Sequence, residues 1–313
     1  MKELPRNYRW ILTLALMCAA GLFSKPAFGA SPSARKRSRS DWNIDAIRHR
    51  KIAYISPNWY PIDKEKEMGE TQSAILKQAT ALLSDDGTIA YLERLAQAIA
   101  HNSDAQIPIT IRIIDSTEAY EITLPGGYQY IARGLLLSVQ NEGELASALA
   151  RGIAHTALRS AMSEFITAKL MHAATISPIF VGQDAPISTT SDSGSAVPLT
   201  LRRMKRKEEL DADYFGVQYL YRAGYDPACL IHFVQTAWAK DGASGSPTAN
   251  AFSPFPRLPD RLKGLETEVG EILPKRDGAV ATTPEFKEFH EHLRSLTPVK
   301  SEPKSQPKLN RVD

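Results

Sequence analysis

Apolar positions between Ile62 and Asn102 recur at intervals of three and four, first Ile75, Ala79 and Leu82, then Ile89, Leu92, Leu95 and Ile99. That is the period of helices with one buried face, and Ser84-Asp85-Asp86-Gly87 divides them into two helices joined by a turn. After Pro108 the pattern changes. Ile109 to Ile114 is dense in β-branched residues and ends at Asp115-Ser116, which predicts a strand. Ala119 to Leu124 and Tyr128 to Ala132 flank Pro125-Gly126-Gly127 and read as two further strands around a tight turn. Asn141 and Glu144 form a variant of the capping box, opening one long helix from Glu144 to about Ala161. A further helix runs from about Arg203 to Arg222 and stops at Gly224, and Asp226-Pro227 opens the next, to about Ala239. No internal repeat is visible.

Three stretches have no such period. Residues 30–40, ASPSARKRSRS, form a basic, serine-rich arm that reads as a solvated linker, with weak contact to an anionic membrane surface through residues 35–39 as the sharper reading. Residues 182–198 are a polar, low-complexity loop, and the tail after Ser295, rich in Lys, Pro and Ser, is expected to be disordered.

The N-terminus changes the picture most. Lys2, Arg6 and Arg9 precede the apolar run Trp10 to Phe23, and Ala27-Phe28-Gly29 offers small residues where a signal peptidase reads. Cleavage after Gly29 and an exported protein, periplasmic or secreted, follow as expectations. The alternative, an uncleaved anchor, is disfavoured because the run is shorter than the roughly 20 residues a spanning helix needs. Met17 before Cys18 argues against lipidation, which wants a small neighbour. The net charge of +3 disappears with the leader, leaving 34 basic and 34 acidic residues. Charge therefore gives no sign of nucleic-acid binding. Only Cys229 would remain, so no internal disulfide can form and stability must come from packing.

Candidate chemistry lies in two helices. Zinc hydrolases of the HExxH type place two histidines four apart on one helical face, with the intervening glutamate activating the bound water. Here the corresponding stretch is Arg151-Gly152-Ile153-Ala154-His155. A guanidinium has donors only and cannot ligate a cation, and Gly152 has no side chain to act as a base. On the second helix Glu209 and Asp213 are four apart on one face, with Ala212 and Gly216 small enough to admit a close neighbour. Alone, His155 reads as a packed core histidine and Glu209 with Asp213 as a solvated acidic face. His290-Glu291-His292 offers no second site, because Arg294 stands where a further histidine would be; a solvated face is expected there.

Five separated blocks change that reading. Glu118 to Gly127 (EAYEITLPGG), Ala132 to Leu136, Glu144 to His155, Glu209 to Gly216, and Arg222 to Pro227 resemble in order the gluzincin peptidases of metallopeptidase family 48, the HtpX and CAAX prenyl endopeptidase group, particularly exported bacterial members. The resemblance covers roughly residues 41–270. It implies an α+β fold, a mainly helical zincin-like domain with a small β-sheet. The expected organisation is a signal peptide (1–29), a basic linker arm (30–58), the peptidase-like domain (59–270) and a C-terminal helix with a disordered tail (271–313).

Carried over by residue, the resemblance places His155 at the second zinc histidine, Glu209 at the third ligand, and Asp213 at the carboxylate that orients a ligand. Arg151 stands at the first ligand position and Gly152 at the general base. The family's later His-Pro block aligns with Phe255-Pro256, ahead of Arg261. The cleft strand survives as Tyr120, Leu124, Pro125, Gly126 and Gly127, with Tyr120 in place of the usual asparagine. Such a strand pairs with extended substrate backbone.

The expectation is a pseudopeptidase with no cofactor, binding peptide or an exported protein in its cleft. The alternative is an active zinc metalloendopeptidase with a non-standard metal site. Oligomeric state is not legible. Two acids left without an ion would need compensation. The Arg151 guanidinium is therefore expected to bind Glu209, Asp213 or both.

Overall fold

A computed structural model describes residues 43–50, 60–163, 199–241 and 256–297. The expected leader, the basic stretch 30–40, the loop 182–198 and the end of the tail lie outside the described residues. Helix α1 spans Ile62–Ala79, followed by strand β1 (Leu82–Leu83), α2 (Asp86–His101), β2 (Thr110–Ile114), β3 (Glu121–Thr123), β4 (Tyr128–Ala132) and the short α3 (Arg133–Ser138). Then come α4 (Glu142–Ala157), α5 (Leu199–Arg222), α6 (Ala228–Asp241), α7 (Leu258–Thr267) and α8 (Pro284–Ser295). The mainly helical α+β expectation holds.

Four strands form one mixed sheet in the order β1-β2-β4-β3. β2 runs parallel to β4, with Ile111 opposite Gln129, while β1 and β3 are antiparallel to their neighbours. β1 was not expected. Leu82 fits the helical period, but α1 ends at Ala79, and Leu82 pairs instead with Ile114. Asp85 then caps α2 by accepting the Thr88 N–H at 2.8 Å, as the turn residues suggested.

Helix α4 is the axis of the domain. Every residue from Glu142 to Ala157 except His155 is buried, because α2, α5, α6 and the sheet all pack on it. Leu92 and Ile99 of α2, Ile111 and Ile131 of the sheet and Val217 of α5 fill the space around Leu145, Leu149 and Ile153. Asn141 caps this helix through the Glu144 N–H at 2.9 Å, and the Glu144 carboxylate accepts from Gln140, one residue before the usual partner of a capping box. The helix does not run unbroken to Ala161. Arg159 turns to φ 53°, held by hydrogen bonds to Glu65 and to the Tyr60 carbonyl, and helical geometry resumes only at Ser160.

Two expected boundaries are not physical ones. Within the linker arm, Ile47 is buried in the core and Arg50 reaches Asp104 at 2.7 Å and Gln218 at 2.6 Å. At the other end α8 belongs to the same core: Phe289 stacks on Tyr91 at 4.4 Å, and buried Glu142 accepts hydrogen bonds from Tyr91, Tyr225 and Thr283. His292 is exposed and meets Asp85 at 3.0 Å, whereas His290 turns partly inward against Phe286, so only part of that face is solvated. No helix of the described residues is long and apolar enough to cross a membrane.

Candidate functional site

Small residues bring α4 and α5 together. A side chain at Gly216 would press on Arg151, its Cβ falling 3.3 Å from the Arg151 Cγ and 3.4 Å from the Cα, so glycine there sets how closely the two helices approach. At that crossing Arg151 leaves α4 and meets Asp213 and Glu209, one turn apart on α5. Its Nε donates to the Asp213 Oδ1 at 2.8 Å, and its Nη2 donates to the Glu209 Oε2. The guanidinium thus spans both carboxylates. Glu209 and Asp213 do not form a solvated acidic face.

The site holds more charge than the sequence led us to expect. Arg261 of α7 donates from Nε to the Asp213 Oδ2 at 2.7 Å and from Nη2 to the Oδ1 at 2.6 Å, a bidentate fork. Asp213, 4% exposed at its side chain, lies between two arginines. From the sheet, Glu121 brings its Oε1 to 3.6 Å from the Arg151 Nη1, and His155 lies on the far side with its Nε2 3.6 Å from the Glu209 Oε1. Arg151, His155, Glu209 and Asp213 are therefore brought together, with Arg261 and Glu121 beside them. A signal for Arg261 exists in the sequence. Leu258, Arg261, Leu265 and Glu268 follow one another at three and four, placing this arginine on the inward face of α7.

Electrostatics separates the carboxylates. Burial pushes the Glu209 carboxyl up, but Arg151, His155 and Arg261 outweigh it and hold the group below its ordinary value. Burial likewise pushes Glu121 up; Arg151 and Arg261 only partly oppose that and Glu209 adds to it, so Glu121 reaches about 7. Arg151 is held firmly protonated, since the three carboxylates outweigh the cost of burying its charge.

Gly152 faces the sheet. A Cβ built there would fall 2.8 Å from the Cδ and Nε2 of Gln129, so the space next to Gly152 is taken by a carboxamide from β4. Gln129 is buried, and its Nε2 has no hydrogen-bond partner. The chain thus supplies no base at this position, and it fills the volume.

The expected cleft strand divides in two. Pro125, Gly126 and Gly127 form a 3-10 turn, with Gly126 at φ 75° and Gly127 at φ 81°, clamped against α1. A Cβ at Gly69 would stand 2.0 Å from the Pro125 carbonyl oxygen, so backbone meets backbone there and the turn is closed off. Tyr120 and Leu124 point their main-chain groups inward. The Tyr120 carbonyl accepts from Ala132 at 3.0 Å, and the Leu124 N–H donates to Tyr128 at 2.8 Å. By the alternation of an antiparallel ladder, the N–H and C=O groups of Glu121 and Thr123 point outward from β3, the sheet's outer strand.

The family model described as peptidase family M48 matches residues 88–269, more than half of the chain. A protein of Vibrio cholerae named as a beta-barrel assembly-enhancing protease is 25% identical over 197 residues, which is 60% of this chain and 41% of that one. The beta-barrel assembly-enhancing protease of Escherichia coli strain K12 is 23% identical over 182 residues, 56% of this chain and 37% of its own. The mitochondrial metalloendopeptidase OMA1 of Schizosaccharomyces pombe is 26% identical over 195 residues, 61% and 56% of the two chains. The match therefore spans about two fifths to just over half of these curated relatives.

Proposed function

The chain belongs to peptidase family M48, and from that premise we propose that it is a non-catalytic member, a pseudopeptidase that binds extended peptide or protein segments. One observation carries the reading: a guanidinium lies between Glu209 and Asp213, beside a glycine at the general-base position. The zinc that the family implies does not fit these residues. A zinc site needs three or four donors, and His155 with Glu209 provides two, one of them already engaged by Arg151. Among the described residues no group of three or more His, Cys, Asp or Glu is arranged to hold a metal. Arg151 also brings a fixed positive charge to where a cation would sit, and Gly152 can neither take a proton nor orient a water.

What remains usable is the outer edge of β3. Outward-facing main-chain groups at Glu121 and Thr123 can accept an added strand, with hydrogen bonds for affinity and alternate side chains for selectivity. The bacterial relatives are named for enhancing β-barrel assembly, so extended segments of unassembled barrel proteins are the first occupants to try. The same reading makes the protein exported, with residues 1–29 removed as a leader.

Purified protein is tested for zinc by mass spectrometry and for casein hydrolysis, beside a double variant Arg151→His, Gly152→Glu. Absence of bound zinc and of chelator-sensitive cleavage, with saturable binding of unfolded peptides, is the expected result. Stoichiometric zinc with chelator-sensitive cleavage by the unaltered protein would establish the alternative, an active metalloendopeptidase with a non-standard site.

A further inference from the structure

Resting on the reading that an extended peptide pairs with β3, we infer that Glu121 selects a basic side chain at one fixed register of the bound segment. The ladder between β3 and β4 sets the geometry. The main-chain groups of Tyr120 and Leu124 are bonded to β4, which leaves those of Glu121 and Thr123 facing outward. An incoming strand would hydrogen-bond at Glu121, and its directly opposite residue would project from the same face of the sheet. Cβ atoms of such a pair lie about 4.5–5.5 Å apart, close enough for a lysine or arginine to reach the carboxylate.

Charge balance gives that position its sign. Asp213 is shared by two guanidiniums, and Glu209 is bonded to Arg151 and flanked by His155. Glu121 is the remaining acid. It lies 3.6 Å from a guanidinium whose other nitrogens already serve Asp213 and Glu209, and it accepts no hydrogen bond from Arg151. Just over four fifths of its side chain is withdrawn from solvent, so water replaces the missing hydrogen-bond donor poorly. A cation on the bound peptide supplies that partner, and an acidic or bulky apolar residue at the same register does not. Carboxylate and guanidinium then alternate across the sheet edge, from the peptide through Glu121 to Arg151.

The test uses the full chain and a positional-scanning set of acetylated, amidated octapeptides, each labelled and read by fluorescence polarisation. Unaltered protein should favour Lys or Arg at one position of the set by about tenfold, the scale of one charge-assisted hydrogen bond. Glu121→Gln should bring that preference close to unity while retaining binding, and Glu121→Lys should turn it toward Asp and Glu. Circular dichroism confirms that each variant is folded, and should Glu121→Lys fail to fold, the isosteric Glu121→Gln decides alone. Binding with no basic preference, or one that persists in Glu121→Gln, overturns the inference but leaves peptide binding standing. Binding of no peptide removes the underlying reading and this inference together.

Discussion

Replacing Arg151 by alanine removes the cation that, among the described residues, touches both Glu209 and Asp213. The two acids lose unequal amounts. Asp213 keeps its bidentate bond to Arg261, whereas Glu209 keeps His155 at 3.6 Å and the through-space charge of Arg261. Breaking a buried pair by removing one partner typically costs about 3–5 kcal/mol. One carboxylate remains compensated and Glu209 is one-fifth exposed, so about 2–4 kcal/mol is the working figure. A urea melt followed by circular dichroism measures it, with the slope expected to stay constant while the midpoint falls. Arg257→Ala is the comparison: that side chain is 70% exposed, and its loss should leave the midpoint close to the parent's. A pH arm sharpens the result. Glu209 titrates below its ordinary value in the folded protein, so its pairing stabilises above about pH 4.5 and is lost as pH falls through the lowered folded value. The gap between parent and Arg151→Ala should therefore narrow as pH falls below 4.5. Equal midpoints for parent and Arg151→Ala at pH 7 would show that the guanidinium does not stabilise the two acids.

Other outcomes follow from the same geometry. Glu121 is raised from 4.5 to about 7, so the fold favours its neutral form, and that stability is present below the unfolded value and lost as pH rises through about 7. Glu121→Gln should match the parent near pH 4.5 and exceed it by up to about 3 kcal/mol at pH 8, read by thermal melts at both. Gly152→Ala should cost about 1–3 kcal/mol because its Cβ meets the Gln129 carboxamide, and Gln129→Ser should recover part of that loss in the double variant. Glu142→Ala leaves three hydroxyl partners of one buried carboxylate without their acceptor and should speed hydrogen exchange in residues 279–297.

Much of the fold was legible because its signals are local. The β-branched run to Ile114, the glycine turn at 126 and 127 and the caps at Asp85 and Asn141 each act within a few residues of sequence. What escaped depends on partners far along the chain. Leu82 and Leu83 look helical until Ile114 and Ile113 are there to pair with them. Arg159 breaks its helix because Glu65 and Tyr60 hold it. Arg50 enters the core because Asp104 and Gln218 wait for it, so a residue that reads as part of a linker is a buried anchor.

The site divides in the same way. His155, Glu209, Asp213 and Arg151 could be placed from helical spacing and the family pattern, and so could the expectation that Arg151 bonds to the two acids. Arg261, Glu121 and Gln129 reach the site from α7 and the sheet, 110, 30 and 22 residues from Arg151 by their numbering. Spacing within a helix says nothing about such arrivals. The inward periodicity of α7 and its place after the Phe255-Pro256 block were the traces of Arg261, and a strand of three residues is too short to announce which face Glu121 takes.

In the proposed pseudopeptidase, an internal cation replaces a metal in joining α4 to α5. Zinc stoichiometry of the purified full chain, measured by mass spectrometry after dialysis against metal-free buffer with added zinc, tests it most directly. Negligible zinc is expected in the parent, unchanged in His155→Ala. Stoichiometric zinc that is lost in His155→Ala would contradict it.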